Sequence, residues 1–442
     1  MSLFFSRSIK KLLFTPKQKT CWSIPLLITF LCLQQTSYGQ DTAQQQTVCE
    51  QKDLPGLIRE WRHLPPKKSQ QKNHSLLLIP SVAVNPTSGF MLGAAGQYVT
   101  RDRMPNSMYS FVQGNVFVTT KKHLLFQVRS NIYTMNDKIY LAGDWRFFIF
   151  SQPTYGLSTN APYGGTIQKH YNINGIYTRY DSLIQPMKFN HLRFYETVSR
   201  RIGKSRLYVG AGYHLDYFFG IKDERLDTAN EFYTSHYAYN KAYGFDTEKY
   251  AVSGVSVNVS GDTRDNMVNA TKGYYFNVNW RVSPAFLGSA KGSNMLSLEW
   301  RSFHKLIRAD PREIVAFWFL GNFSPAGKLP YLALPALGYD QRGKTGRGYT
   351  QGRFRGPNML YAETEYRFPL SHCGGILGGV IFANVTTADN PAGTVGLFEN
   401  VAPGAGLGLR VMVDKKTKTN LAIDFGVGRK SLGIYVGVSE TF

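Results

Sequence analysis

Four glycines, three arginines, a tyrosine and a phenylalanine share one eleven-residue stretch, GRGYTQGRFRG, at residues 346–356. A guanidinium is a planar, permanently charged donor that grips carboxylates and phosphates through paired hydrogen bonds. So many glycines suit neither a helix nor an ordinary strand. The stretch therefore reads as a nucleic-acid-binding segment or as a buried loop that plugs something polar. Other candidate chemistry is sparse. His123, His191 and His214 fall at strand positions, without an accompanying Ser/Asp arrangement that would make a lipid hydrolase. Asp262 and Asp265, in DTRDN, lack the ligand spacing of a calcium loop and suit turn and cap duty. No phosphate-binding Gly-rich loop joins a strand to a helix. No metal, cofactor or catalytic residue is expected, and the chain does not read as an enzyme.

The elements that must position these residues begin after a leader. Residues 1–39 carry five basic and no acidic residues, an apolar run of 13 residues (CWSIPLLITFLCL) and small residues at Ser37 and Gly39. This is the pattern of a secretory signal cleaved before Gln40. The run is short for a membrane anchor, which takes about 20 residues. TFL before Cys32 is a poor lipoprotein box. Without the leader, the net charge falls from +22 to +17. Cys49 and Cys373 remain, too few for a disulfide-stapled fold, although a single bridge between them is open. Residues 40–74 form a short N-terminal segment, expected in the periplasm. In it Leu54–Leu64 can make an amphipathic helix with Leu57, Ile58 and Trp61 on one side. Such a helix would plug the barrel mouth, lie on the membrane or bind a partner; a partly ordered linker is the plainer alternative.

Residues 75–442 alternate. In GYYFNVNWRV, Tyr274, Phe276, Val278, Trp280 and Val282 fall on one face and Asn277, Asn279 and Arg281 on the other. In TNLAIDFGV, Leu421, Ile423, Phe425 and Val427 oppose Asp424; in GAGLGLRVMV, Leu407, Leu409 and Val411 oppose Gly404, Gly406, Gly408 and Arg410. Period two marks strands, and segments of about ten residues match tilted membrane-spanning strands. A soluble sandwich would give the same alternation. Export, an aromatic content of 14% and inward charges of both signs (Arg281, Glu299, Arg301, Glu363, Glu365, Arg367, Arg410, Asp424) favour a barrel with lipid outside and a polar lumen. The expected fold is all-β, a transmembrane antiparallel barrel of sixteen strands. Strands are expected at 75–84, 88–101, 107–118, 122–134, 138–151, 186–201, 205–219, 248–260, 272–283, 293–307, 312–323, 357–370, 376–387, 403–413, 419–428 and 431–442. With both termini on one side, the long connections 152–185, 220–247, 324–356 and 388–402 all fall on the other; residues 261–273 are long for a turn.

Four stretches carry a resemblance. DTRDNMVNATKGYYFNV, GRGYTQGRFRG, ETEYRFPL and the closing GLGLRVMVDKKTKTNLAIDFGVGRKSLGIYVGVSETF, in this order, resemble the BamA/TamA-type bacterial surface antigen superfamily of outer-membrane barrels. The resemblance covers residue 75 to the end. It implies protein insertion or translocation at the outer membrane, and a sixth outer loop folded back into the barrel. Arg347, Gly348 and Tyr349 take the positions of that loop's motif, and Glu365 matches an acidic partner on the wall. The family's second partner, an aspartate on the next strand, is Asn384 here, which removes a charge from the latch. The short segment 40–74 departs from members that carry polypeptide-transport-associated domains.

A lateral gate would lie where the first strand meets the last. Pro80 removes a ladder donor there, Gly433 and Gly437 weaken the facing strand, and Phe442 closes it. Implied partners are outer-membrane lipids, a periplasmic or membrane protein and unfolded outer-membrane protein substrates. The basic charge finds anionic headgroups rather than nucleic acid in that compartment. Two alternatives stand beside the assembly factor: a passive pore, and a structural barrel whose outer loops bind something.

Overall fold

The computed structural model describes residues 51–65, 74–101, 107–161, 172–173, 176–177, 185–306, 312–371, 374–391 and 395–442. The leader, Cys49, Cys373 and most of the connection 152–185 lie outside the described residues. Sixteen antiparallel strands close into a barrel. The first eight are β1 His74–Asn85, β2 Gly89–Arg101, β3 Tyr109–Thr119, β4 Leu124–Thr134, β5 Ile139–Thr154, β6 Gln185–Arg201, β7 Leu207–Asp223 and β8 Tyr250–Asp262. The rest are β9 Gly273–Ser283, β10 Ser293–Lys305, β11 Ile314–Gly327, β12 Met359–Pro369, β13 Leu377–Ala388, β14 Ala402–Asp414, β15 Thr419–Gly428 and β16 Ser431–Val438.

Alternation sorts the side chains as the sequence requires. Val282, Leu407, Ile423, Phe425 and Val427 are exposed on the outer surface, while Arg281, Arg410 and Asp424 are buried within. An outward apolar face around a polar interior is stable only where lipid replaces water outside. β5 runs three residues and β7 four residues further at their C-terminal ends than the alternation suggests, and β6 begins one residue earlier. The long turn between β8 and β9 is held by its own side chains. Asp265 accepts from Thr271 N at 2.8 Å and Asn266 accepts from Val268 N at 2.7 Å.

Among the described residues, two α-helices accompany the barrel. α1, Leu54–Trp61, sits at the end of the barrel that carries the chain's C-terminus. α2, Ser235–Ala242, lies in the connection after β7, is capped by Thr234 and had no counterpart in the sequence reading. It packs on the 328–358 connection: Tyr239 donates to Leu329 O at 3.1 Å, and Asn240 accepts from Tyr331 N at 3.0 Å.

Closure is uneven. β1 and β16 meet through the single register pair Val84↔Val436, whereas every other neighbouring pair shares eight or more. The last strand is shorter than the expected 431–442. Ser439, at φ 74°, turns the chain after Val438, and Phe442 is buried against Trp318 and Phe303. Phe442 therefore does not stand on the seam, nor on the outer face with Leu432 and Ile434, which are exposed. Pro80 pairs with Ala94 of β2 and lies four residues from the bridging pair; Gly433 and Gly437 flank Val436. Cysteines at Val84 and Val436 are expected to cross-link under mild oxidation in the folded barrel, read as a covalent shift on denaturing gels. Absence of that shift in verifiably folded protein would refute the closed seam.

Candidate functional site: the loop between β11 and β12

The 328–358 connection is built around Arg347, which is 2% exposed. Its Nη2 donates to Glu363 Oε1 at 2.6 Å and to Glu365, and its Nη1 donates to Asp424 Oδ2 at 2.9 Å. The guanidinium also lies over the Phe382 ring, 3.6 Å from its centroid. Glu363 and Glu365 stand two apart on β12, so the pleat aims both at the interior. Asp424 comes from β15 by the same rule. The matched partner Glu365 is thus joined by Glu363 and Asp424, two of the charges that alternation had already placed inside. Asn384, the Cα partner of Glu363 across β12 and β13, does not take up the guanidinium. Its Nδ2 donates to the carbonyl of Arg347 at 2.9 Å. The missing charge at 384 is made good by Asp424, and the amide holds the backbone instead.

The network runs on from these carboxylates. Arg367 donates to Glu365 Oε2 at 2.7 Å and to Phe442 O at 3.1 Å. Arg410 donates to Asp424 Oδ1 at 2.5 Å and to Glu440 Oε2 at 2.7 Å. The loop, the wall and the final residues of the chain therefore share one set of ion pairs.

Backbone approach makes the arrangement tight. Gly348 has φ +106°, and a Cβ there would stand 2.7 Å from Val427 O. On the wall, a Cβ at Gly426 would meet Gly348 N at 2.7 Å, and one at Gly428 would meet the Tyr349 ring at 2.4 Å. A glycine-lined track on β15 thus admits the loop. Tyr349 is buried, donates to Pro403 O at 2.5 Å and accepts from Arg429 N at 2.9 Å. The sequence reading missed this track; its signal is TNLAIDFGVG, where Gly426 and Gly428 follow Asp424 on the inward face, the mark of a wall that another backbone approaches.

The loop also touches both sides of the seam. Tyr435, beside Val436 on β16, accepts from Gly348 N at 3.0 Å and donates to Tyr349 O at 2.8 Å. Thr87, just beyond β1, accepts from Gln351 N at 2.8 Å. One short stretch, 348–351, is therefore hydrogen-bonded to Tyr435 within β16 and to Thr87 just beyond β1.

The other candidates separate. His123 bonds Ser151 Oγ at 2.7 Å, His191 bonds Asp216 at 2.9 Å and His214 bonds Ser256 Oγ at 2.7 Å. Among the described residues no serine, imidazole and carboxylate line up in turn. Burial, then Lys121, pulls His123 down to about 4, so it is neutral at pH 7. Asp262 accepts from the backbone and guanidinium of Arg264. Burial would raise Asp265, but Thr271, backbone N–H groups and Lys418 hold it below the usual carboxylate range. Both aspartates serve the turn. Beneath the loop a cavity of about 240 Å³ remains between Tyr339, Asp340 and wall residues such as Arg193, Asp216 and Arg281.

Removing Arg347 leaves buried carboxylates facing one another, which costs about 3–5 kcal/mol. Arg353 donates to a neutral acceptor, Ala161 O, at 2.7 Å. Arg347→Ala is therefore expected to lower the urea midpoint of the folded, heat-shiftable gel band well beyond Arg353→Ala; equal, negligible shifts would refute the latch. Gly428→Val is expected to displace Tyr349 and lower the midpoint as well.

Comparison with known proteins fits this architecture. No curated protein matches the chain by sequence. Among solved structures, BamA from Haemophilus ducreyi lacking POTRA domains 1–3 superposes with a TM-score of 0.50 at 13% identity, over 84% of this chain and 71% of that one. CdiB from Escherichia coli does so with a TM-score of 0.50 at 10% identity, over 84% and 68%. These likenesses concern the fold. The family model for the Omp85 superfamily domain matches residues 154–442, well over half of the sequence and including the loop, its wall and the last strand. The chain belongs to the Omp85 superfamily, as an outer-membrane β-barrel whose sixteen strands cross the bilayer.

Proposed function

We propose that this barrel inserts or translocates proteins at the outer membrane through the β1–β16 seam, with the 328–358 loop as the latch that sets the seam's resting state. The carrying observation is the junction itself. One register pair bridges the strands, and the loop that Arg347 fixes to the wall bonds Tyr435 within β16 and Thr87 just beyond β1. A seam this short leaves backbone donors and acceptors for an incoming strand, the chemistry of β-augmentation. The substrates would be unfolded outer-membrane proteins, and a periplasmic or membrane protein would deliver them. The role is non-enzymatic, and export through the 1–39 leader belongs to the same reading.

A quantitative outer-membrane proteome after depletion tests it. Broad loss of other barrels is expected for an assembly factor, and loss of one or two proteins for a dedicated translocator. An unchanged proteome would refute both. Locking the seam through cysteines at Val84 and Val436 is expected to abolish the activity that depletion reveals; full activity with the lock verified would sink the gating mechanism.

The second reading is a passive pore. The lumenal cavity beneath the loop favours it, but the buried loop occupies the cross-section beside that cavity. Steady conductance of the intact chain in planar bilayers would support the pore and count against a latched barrel.

A further inference from the structure

α1 is fixed to the barrel and yet left uncovered. Asp53 caps the helix, its Oδ1 accepting from Gly56 N at 2.9 Å. Its other oxygen accepts from Lys415 N, in the β14–β15 turn, at 3.2 Å. Lys52 N donates to Gly374 O at 2.7 Å, and Gln51 Nε2 donates to Gly375 O at 2.8 Å, in the β12–β13 turn. One short segment thus clasps two adjacent turns at the rim. No residue of the helix is buried. Leu54 is 37% exposed, Ile58 43% and Trp61 78%, with Leu64 at 48% just beyond, while Leu57 is half-buried. Positions 54, 58 and 61 fall on one helical face. A helix that plugged the mouth would bury that face, so it does not act as a plug.

The surroundings specify what covers it. The turns that hold α1 end strands whose outward residues belong to the lipid-facing band: Leu370 and Leu377, on either side of the β12–β13 turn, are both exposed. The helix therefore sits where that band reaches the membrane surface. Basic residues surround it, Arg59 and Arg62 on and beside the helix and Lys415 and Lys416 in the turn it clasps, while Lys418 pairs with Asp265. We infer that α1 lies in the headgroup layer of the leaflet at the terminus end of the barrel. Leu54, Ile58 and Trp61 enter the acyl boundary, and the basic residues meet anionic phospholipid headgroups. An apolar face with a basic rim is what holds interfacial helices, and tryptophan is the side chain that settles at that depth. The inference rests on the membrane-spanning barrel and does not depend on the insertion activity.

The test uses the full chain, with Cys49→Ser and Cys373→Ser, reconstituted into phosphatidylglycerol-containing vesicles. Nitroxide labels are placed at Ile58→Cys and Trp61→Cys, with Glu60→Cys as the control, and folding is checked by heat-shifted gel mobility. Collision with oxygen and with a water-soluble nickel chelate is expected to place labels 58 and 61 about 5–10 Å below the phosphates and label 60 in water. Equal water access at all three positions would overturn the inference. So would shielding of 58 and 61 in native membranes but not in pure lipid, which would mark a protein partner instead. Labels are expected to rise toward water in phosphatidylcholine vesicles; a depth indifferent to headgroup charge would overturn the role given to the basic residues.

Discussion

The loop, the wall it meets and the end of the chain are arranged around one buried guanidinium. Arg347 reaches three carboxylates from two non-adjacent strands, and each of those carboxylates is desolvated in its turn. Such a group is tolerable only when fully paired, because an isolated buried charge costs several kcal/mol. The requirement spreads outward. Glu365 also needs Arg367, Asp424 also needs Arg410, and Arg410 in turn holds Glu440. Three arginines and four carboxylates are thus interdependent, and loop, wall and chain terminus are ordered together.

The barrel was legible in the sequence because its cause is local. A strand with lipid on one side and a polar lumen on the other must alternate. GYYFNVNWRV and TNLAIDFGV state their facing without any knowledge of their neighbours. The inward charges were legible for the same reason, and so Glu363, Glu365 and Asp424 were placed on the correct face before their partner was known. What alternation does not encode is which inward residues meet. That depends on strand register and on the path of a long loop, and it explains why Asp424, rather than residue 384, completes the set. Asn384 kept its place at the site but changed its partner, from the guanidinium to the carbonyl behind it.

Other features escaped for non-local reasons. α2 has weak amphipathicity and is stabilised by loop residues such as Leu329 and Tyr331, far away in sequence. Phe442 was placed by extending the alternation of β16 to the end, but one left-handed residue, Ser439, reverses the chain and carries the ring inside. The seam glycines were seen for their weak strand propensity. Their neighbour Tyr435, whose hydroxyl meets the loop backbone, reads in sequence as one more aromatic on a strand.

The glycine track has a consequence for local stability. Glycine in a strand gives up more conformational entropy on folding and offers no side chain to pack. β14 and β15 carry glycines along the inner face, and β15 pairs with β16, which makes the shortest ladder in the barrel with β1, so their order is borrowed from the loop that fills the track. Were the 346–351 stretch alone to leave the track, this sector would lose its packing, while Leu329, Tyr331, Leu332 and Leu334 of the same connection would still pack against Phe150, Phe189 and Phe218 of β5 to β7. The seam opening proposed above would then be a sub-global unfolding of one edge that must also break the ion pairs of Arg347.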